Sequence, residues 1–237
     1  MLSDHPKGLK TLFLTEMWER MSFYGMRGIL VLFMTASLIN GGLNIDSVSA
    51  SATYGIYTAG VYLVALLGGW IADRHIGQQN AILYGGFIIM LGHFLLAFTN
   101  INTFYLGLIF VVLGTGLLKP NISAIVGGLY EKDQEKKESG FTLFYMSINI
   151  GSILGFFICG YLGENIGWHY GFGAAGIGMA FGLIQFYFNR KDLGNVGLKP
   201  SSEISIDTKK REIKIISSII FLFFIFVFIG AIRYLEF

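Results

Sequence analysis

Apolar positions in this chain gather into long runs, and the polar breaks between them are brief. Seven runs stand out, near residues 12–38, 51–72, 80–99, 104–126, 140–162, 169–189 and 213–235. Each approaches or exceeds the ~20 residues a helix needs to cross ~30 Å of hydrocarbon. In lipid the backbone must satisfy its own hydrogen bonds, so each run reads as a membrane-spanning α-helix. The one long break is residues 190–212, RKDLGNVGLKPSSEISIDTKKRE, which is rich in basic residues. The pattern predicts an all-α polytopic membrane protein. A six-helix bundle is expected over 1–190, a basic linker over 191–212 and one additional transmembrane helix over 213–237.

Charge orients these helices. Lys7 and Lys10 precede the first run, Arg74 follows the second, and Lys132, Lys136 and Lys137 follow the fourth. The long break and its junction add Arg190, Lys191, Lys199, Lys209, Lys210, Arg211 and Lys214. The alternate connections, 39–50, 100–103 and 163–168, hold no Lys or Arg. Basic loops stay cytoplasmic, so the N-terminus and the linker are expected on the cytoplasmic side. The formal net charge of +2 is explained by this topology, and a nucleic-acid partner is not implied.

Composition agrees with the pattern. The 237 residues are 54% hydrophobic and only 14% charged, with mean hydropathy +0.62. A soluble domain carries about a quarter charged residues. Cys159 is the single cysteine, so neither a disulfide nor a cysteine-based metal site is available. No cleavable signal peptide is read at the start, because the first apolar run is too long and too charged.

The first run poses a chemical problem. Residues 13–34, FLTEMWERMSFYGMRGILVLFM, hold Glu16, Glu19, Arg20 and Arg27. At about 100° per residue, these four and Tyr24 share a wedge of about 140° on one helix. Glu16 and Arg20 are spaced i,i+4 and are placed to pair. Arg27 falls near mid-membrane, where a charge costs at least ~2.5–3.5 kcal/mol, so it calls for a watery cavity or a partner. Lys119 in the fourth run lies about 12 Å of helix from the nearer end, beyond easy snorkelling. Pro120 follows it and frees the carbonyl of Gly116, which predicts a bend. The glycines of GTGLLK lack phosphate-loop spacing. His93 reads as a packed or hydrogen-bonded core residue, and the glycines 151/155 and 178/182 as small-residue packing sites. Trp18, Trp70 and Trp168 read as an aromatic belt.

Four stretches carry a resemblance. EMWERMSFYG (16–25) resembles the ExxERFxYYG signature of the proton-coupled oligopeptide transporter family, within the major facilitator superfamily. GGWIADRHIG (68–77) resembles its GGxxADxxxG loop, GTGLLKPN (114–121) its GxGxxKPN, and FTLFYMSINIGS (141–152) its FxxFYxxINxGS. The chain departs at Met21 and Phe23, where the family usually has Phe and Tyr. It departs again at Gln78 and Gln79, where basic residues are common.

The resemblance implies the N-terminal six-helix bundle of a major facilitator fold. It further implies a symporter of di- and tripeptides in the bacterial inner membrane, with no cofactor and the proton as coupling ion. Glu16, Glu19, Arg20 and Lys119 match the family's proton-coupling positions. Tyr24, Arg27, Tyr62, Lys119, Tyr145 and Asn149 match its peptide-cavity positions, with Arg27 and Lys119 toward the peptide carboxylate and Asn149 toward the backbone or amino end. Asp73 and Arg74 match a cytoplasmic gate. The family's second six-helix half has no counterpart here, and the chain reads as a fragment or truncated form. The seventh run resembles a helix that bacterial members insert between halves. A drug or nitrate facilitator would share the bundle and the Asp73 loop but not the other three motifs together. An intramembrane enzyme would need a nucleophile–base pair or a metal cluster at depth, and the sequence has no such spacing. A channel or sensor role of a lone half, or a transport-inactive truncated form, is the remaining alternative.

Overall fold

Six of the seven expected helices, those up to residue 189, form in the order the pattern places them. A computed structural model describes residues 4–98, 100–201 and, beyond these, 205, 207, 208, 210–212, 214, 215 and 218. The described helices of the first compact unit, Met1–Pro200, are α1 (Lys7–Thr35), α2 (Ser47–Ile76), α3 (Gln78–Leu96), α4 (Ile101–Leu129), α5 (Lys137–Asn165) and α6 (Trp168–Asn189). No strand occurs among the described residues. In the second unit, Ser201–Phe237, the described residues from Asp207 onward are helical, and the Ser205 hydroxyl accepts the Thr208 amide at 3.2 Å. The additional helix expected over 213–235 lies outside the described residues except for Lys214, Ile215 and Ser218.

Helix ends depart from the apolar pattern where packing or caps override it. α1 starts at Lys7, five residues before its apolar run, because Gly8 and Leu9 are buried. A Cβ on Gly8 would stand 2.9 Å from Leu193 and 3.1 Å from Leu129. Asp46 caps α2, its Oδ1 accepting the amides of Val48 and Ser49 at 3.0 Å each. Asn100 caps α4 by accepting the Asn102 amide at 2.8 Å. Wide π-type turns extend α2 over Ala72–Ile76 and interrupt α5 at Phe156–Gly160.

Side groups confirm which connections share an end. At one end Trp168 Nε1 donates to the carbonyl of Asn40 at 3.0 Å, joining two of the connections that lack basic residues. At the other end His5 Nδ1 and the Tyr130 hydroxyl share a hydrogen bond of 2.7 Å. There, too, the Gln79 side chain donates to the carbonyls of Gly194 and Val196 at 3.1 and 2.9 Å. Residues 190–198, expected to open a linker, are therefore held against the start of α3. Polar backbone that leaves a helix needs partners, and Gln79 supplies them.

α1 packs chiefly against α5 and α6. Small residues permit the approach. A Cβ on Gly155 would stand 2.7 Å from the Gly25 amide nitrogen, and one on Gly182 would stand 2.9 Å from Trp18 Cβ. α2 to α6 are long and apolar, with mean hydropathy 1.4–1.9. α1 carries too much charge to match them, and protein rather than lipid surrounds its charged turn.

Candidate functional site

The i,i+4 spacing of Glu16 and Arg20 produces the expected pair. Arg20 Nε lies 3.2 Å from Glu16 Oε1, and the same guanidinium grips both oxygens of the Glu19 carboxylate. The three side chains are 0–2% exposed. One Glu16 oxygen, Oε2, has no hydrogen-bond partner. Phe23 and Tyr24 cover the cation, with ring centres 4.9 and 5.9 Å from the guanidinium carbon. The i,i+4 spacing brings Glu16 to Arg20, whereas the adjacent Glu19 is reached only because the long arginine side chain bends back to it. Phe23, which replaces the family's tyrosine, serves as an apolar face for the guanidinium.

Beside this buried cluster lies a more open face. Tyr24 and Arg27 are half-buried on α1. Arg27 donates to the Tyr54 hydroxyl, and its guanidinium stands 5.2 Å from that ring's centre. On α2, Tyr62 is 64% exposed, and the Lys119 ammonium of α4 sits 5.5 Å from its ring centre. Tyr145 and Asn149, one helical turn apart on α5, are exposed. Among the described residues Lys119 makes no ion pair with Glu16 or Glu19. The two positions expected to work together are thus separate in this conformation, with Lys119 turned to a tyrosine.

Pro120 explains how α2 and α4 come so close. The carbonyl of Gly116, which the proline leaves without its helical donor, is covered by Gly68 of α2. Asn121 Nδ2 closes the gap by donating to the carbonyls of Gly68 and Leu117 at 3.3 and 2.6 Å. Lys119 is held at this junction. The gate positions lie at the basic end, in the π-type turn of α2. Asp73 Oδ1 accepts from Gln78 at 3.2 Å, and Arg74 lies 5.6 Å from the Trp70 ring centre.

Several participants escaped sequence reasoning. Tyr54 is the partner of Arg27, and Tyr57 is buried 6.5 Å from Phe23 with its hydroxyl unbonded. Three tyrosines within residues 54–62 of an otherwise apolar helix were the available signal. Gln79 gave none, since its role depends on a segment far along the chain. His93 is fully buried, and neither ring nitrogen has a hydrogen-bond partner. It is packed but not bonded.

Comparison with known proteins places the chain in a family. Residues 79–219 match the POT family. The chain is 49% identical over 185 residues to a peptide transporter, YePEPT, of Yersinia enterocolitica, covering 77% of this chain and 36% of the relative. It is 42% identical over 212 residues to a di-/tripeptide transporter of Lactococcus lactis, covering 88% and 43%. Among solved structures, a POT family transporter in complex with a thioalcohol-conjugated peptide superposes with a TM-score of 0.90 at 37% identity. That match covers 97% of this chain and 48% of the other. The chain therefore spans less than half the length of these relatives.

Proposed function

Because the chain belongs to the POT family, we propose that it forms the N-terminal part of a proton-coupled symporter of di- and tripeptides. The membrane is the bacterial inner membrane, with the N-terminus in the cytoplasm, as the basic loops favour. A six-helix bundle, a basic linker from residue 191 and one further helix are its parts, and a second six-helix half completes the cavity. Protons are the coupling ion, and no cofactor takes part.

A charge count carries this reading. Two carboxylates and one guanidinium, −2 + 1, leave one uncompensated negative charge in a buried cluster. Such a charge costs several kcal/mol, so the cluster demands either a proton or a nearby cation. Lys119, here turned to the Tyr62 ring, becomes that cation when it swings toward the cluster, and it is also within the open face where a peptide carboxylate would bind. When Arg27 and Lys119 hold the carboxylate, Lys119 no longer serves the cluster, and a proton on Glu16 or Glu19 restores neutrality. Release of the peptide reverses the exchange. The unbonded Glu16 Oε2 is one place for that proton, and the Glu19 carboxylate, held here by Arg20, becomes the other when that grip loosens. Tyr24, Tyr62 and Tyr145 form tolerant walls, Asn149 serves the peptide backbone or amino end, and Asp73 with Arg74 steadies the cytoplasmic gate. Fixed charges for the termini with aromatic walls suit substrates that differ only in side chains.

The test is Glu19→Gln in a transporter that has both halves. Proton-driven accumulation of a labelled dipeptide should be lost, while exchange of internal for external peptide persists. Exchange needs only alternation with substrate bound, whereas accumulation needs a group that takes up and releases a proton. Unchanged concentrative uptake would overturn the assignment.

A further inference from the structure

A cavity of about 380 Å³ lies at the basic end of α6, away from the buried cluster of α1. Its walls include Tyr187 and Phe188 from the last turn of α6, Arg190 and Lys191 from the turn that follows, and Gln79 from α3. The cavity exists because the chain turns back on itself. Gly194 and Gly197 adopt φ of +59° and +66°, a left-handed region that favours glycine. Gln79 then pins the returning segment by its side-chain amide. That amide is committed to two carbonyls, so the free donors of the cavity are the guanidinium and the ammonium. The Arg190 guanidinium is steadied 5.8 Å from the Tyr187 ring centre. No carboxylate lines the cavity, and Asp192, the next residue, is exposed. The chemistry selects an anion.

The surface leading away from the cavity says what carries that anion. Ile177, Phe181, Ile184 and Phe188 are each more than half exposed. At about 100° per residue they lie within about 60° of one another, a continuous apolar track along α6. A soluble anion would use only the two cations, while the track, like the apolar faces of the other spans, would meet bulk lipid. A phospholipid would use both, its phosphate at the mouth of the cavity and an acyl chain along the helix. Basic pockets at this level of a bilayer hold lipid headgroups by the same arrangement.

We propose that this cavity is a binding site for the phosphate headgroup of an anionic phospholipid. Arg190 and Lys191 hold the phosphate, and the Ile177–Phe181–Ile184–Phe188 track holds the chain. The site depends only on α6 spanning the bilayer, and it stands whether or not peptide transport is the protein's activity.

Native mass spectrometry of the full chain in neutral detergent tests this, after exposure to equal amounts of phosphatidylglycerol and phosphatidylcholine. The chain should retain phosphatidylglycerol preferentially. Arg190→Gln with Lys191→Gln should weaken retention by about tenfold or more, since each basic residue near the surface contributes roughly fivefold. The charge-matched Lys132→Gln with Lys136→Gln should leave it unchanged. Phe181→Ser with Ile184→Ser should also weaken it, and millimolar inorganic phosphate should not displace the lipid. Equal retention by the Arg190/Lys191 variant and the parent would overturn the proposal, as would no preference in the parent. Displacement by inorganic phosphate, with the track variant unaffected, would overturn the lipid in favour of a free anion.

Discussion

Glu16, Glu19 and Arg20 share one turn of α1, and what separates them from Arg27 is the company each keeps. The first three satisfy one another in a buried cluster, while Arg27 reaches across to a tyrosine of α2 beside an open face. If Arg27 holds a peptide carboxylate, its planar fork matters as well as its charge. Arg27→Lys in a two-half transporter should therefore raise the KM for dipeptides by about tenfold or more, the scale of a lost charge-assisted hydrogen bond. Tyr54→Phe removes only the group that orients Arg27, so it should raise KM less, by about threefold to fivefold, with kcat preserved. Initial-rate uptake across a range of dipeptide concentrations distinguishes the two. Equal KM values for Arg27→Lys and the parent would remove Arg27 from the cavity.

Helices here begin and end on polar chemistry that hydropathy does not report. The start of α2 rests on Asp46, whose carboxyl is held below the usual aspartate range by hydrogen bonds from the Ser49 side chain and amide and the Val48 amide. A folded-state value below the unfolded one stabilises the helix start above the unfolded pKa. That stabilisation fades as the pH falls through the folded value. Hydrogen exchange at the Val48 and Ser49 amides should thus accelerate, relative to the rest of α2, as the pH drops below the ordinary aspartate range. Asp46→Asn should keep the cap and lose the pH dependence, while Asp46→Ala should exchange quickly at neutral pH. A flat profile in the parent would show that the cap carries no weight.

At the scale of the whole molecule, the contacts that join connections at each end define two faces of the bundle, and the loop charges predict which face is cytoplasmic. A cysteine placed in 39–50 should react with an impermeant thiol reagent added to intact cells, and one placed in 127–138 should stay protected. The reverse pattern would invert the orientation. The bundle should also insert on its own, because each helix satisfies its own backbone in lipid. Transport is a different matter, since alternating access needs two halves rocking about a shared site. The 237-residue chain in liposomes, given an inward proton gradient and a labelled dipeptide, should show no saturable accumulation. Uncoupler-sensitive, saturable uptake would show that two copies supply what one lacks.

The six described helices, their order and their shared ends were legible in sequence, because a bilayer makes apolar run length a strong local constraint. The Glu16–Arg20 pair was legible for the same kind of reason, being a matter of spacing within one helix. Other assignments depended on residues brought together from afar. Gln79 reads as a neutral substitution in a usually basic loop until Gly194 and Val196, more than a hundred positions away, arrive at its amide. Residues 190–198 read as linker because their composition is polar, yet they fold onto α3 because their carbonyls find that donor. Tyr54 became the partner of Arg27, and Tyr62 that of Lys119, only once α2 had packed beside α1 and α4. Periodicity and charge act along the chain, so sequence reports them. The meeting of side chains from different helices depends on how glycines and a proline let those helices approach, and only the tertiary structure decides that.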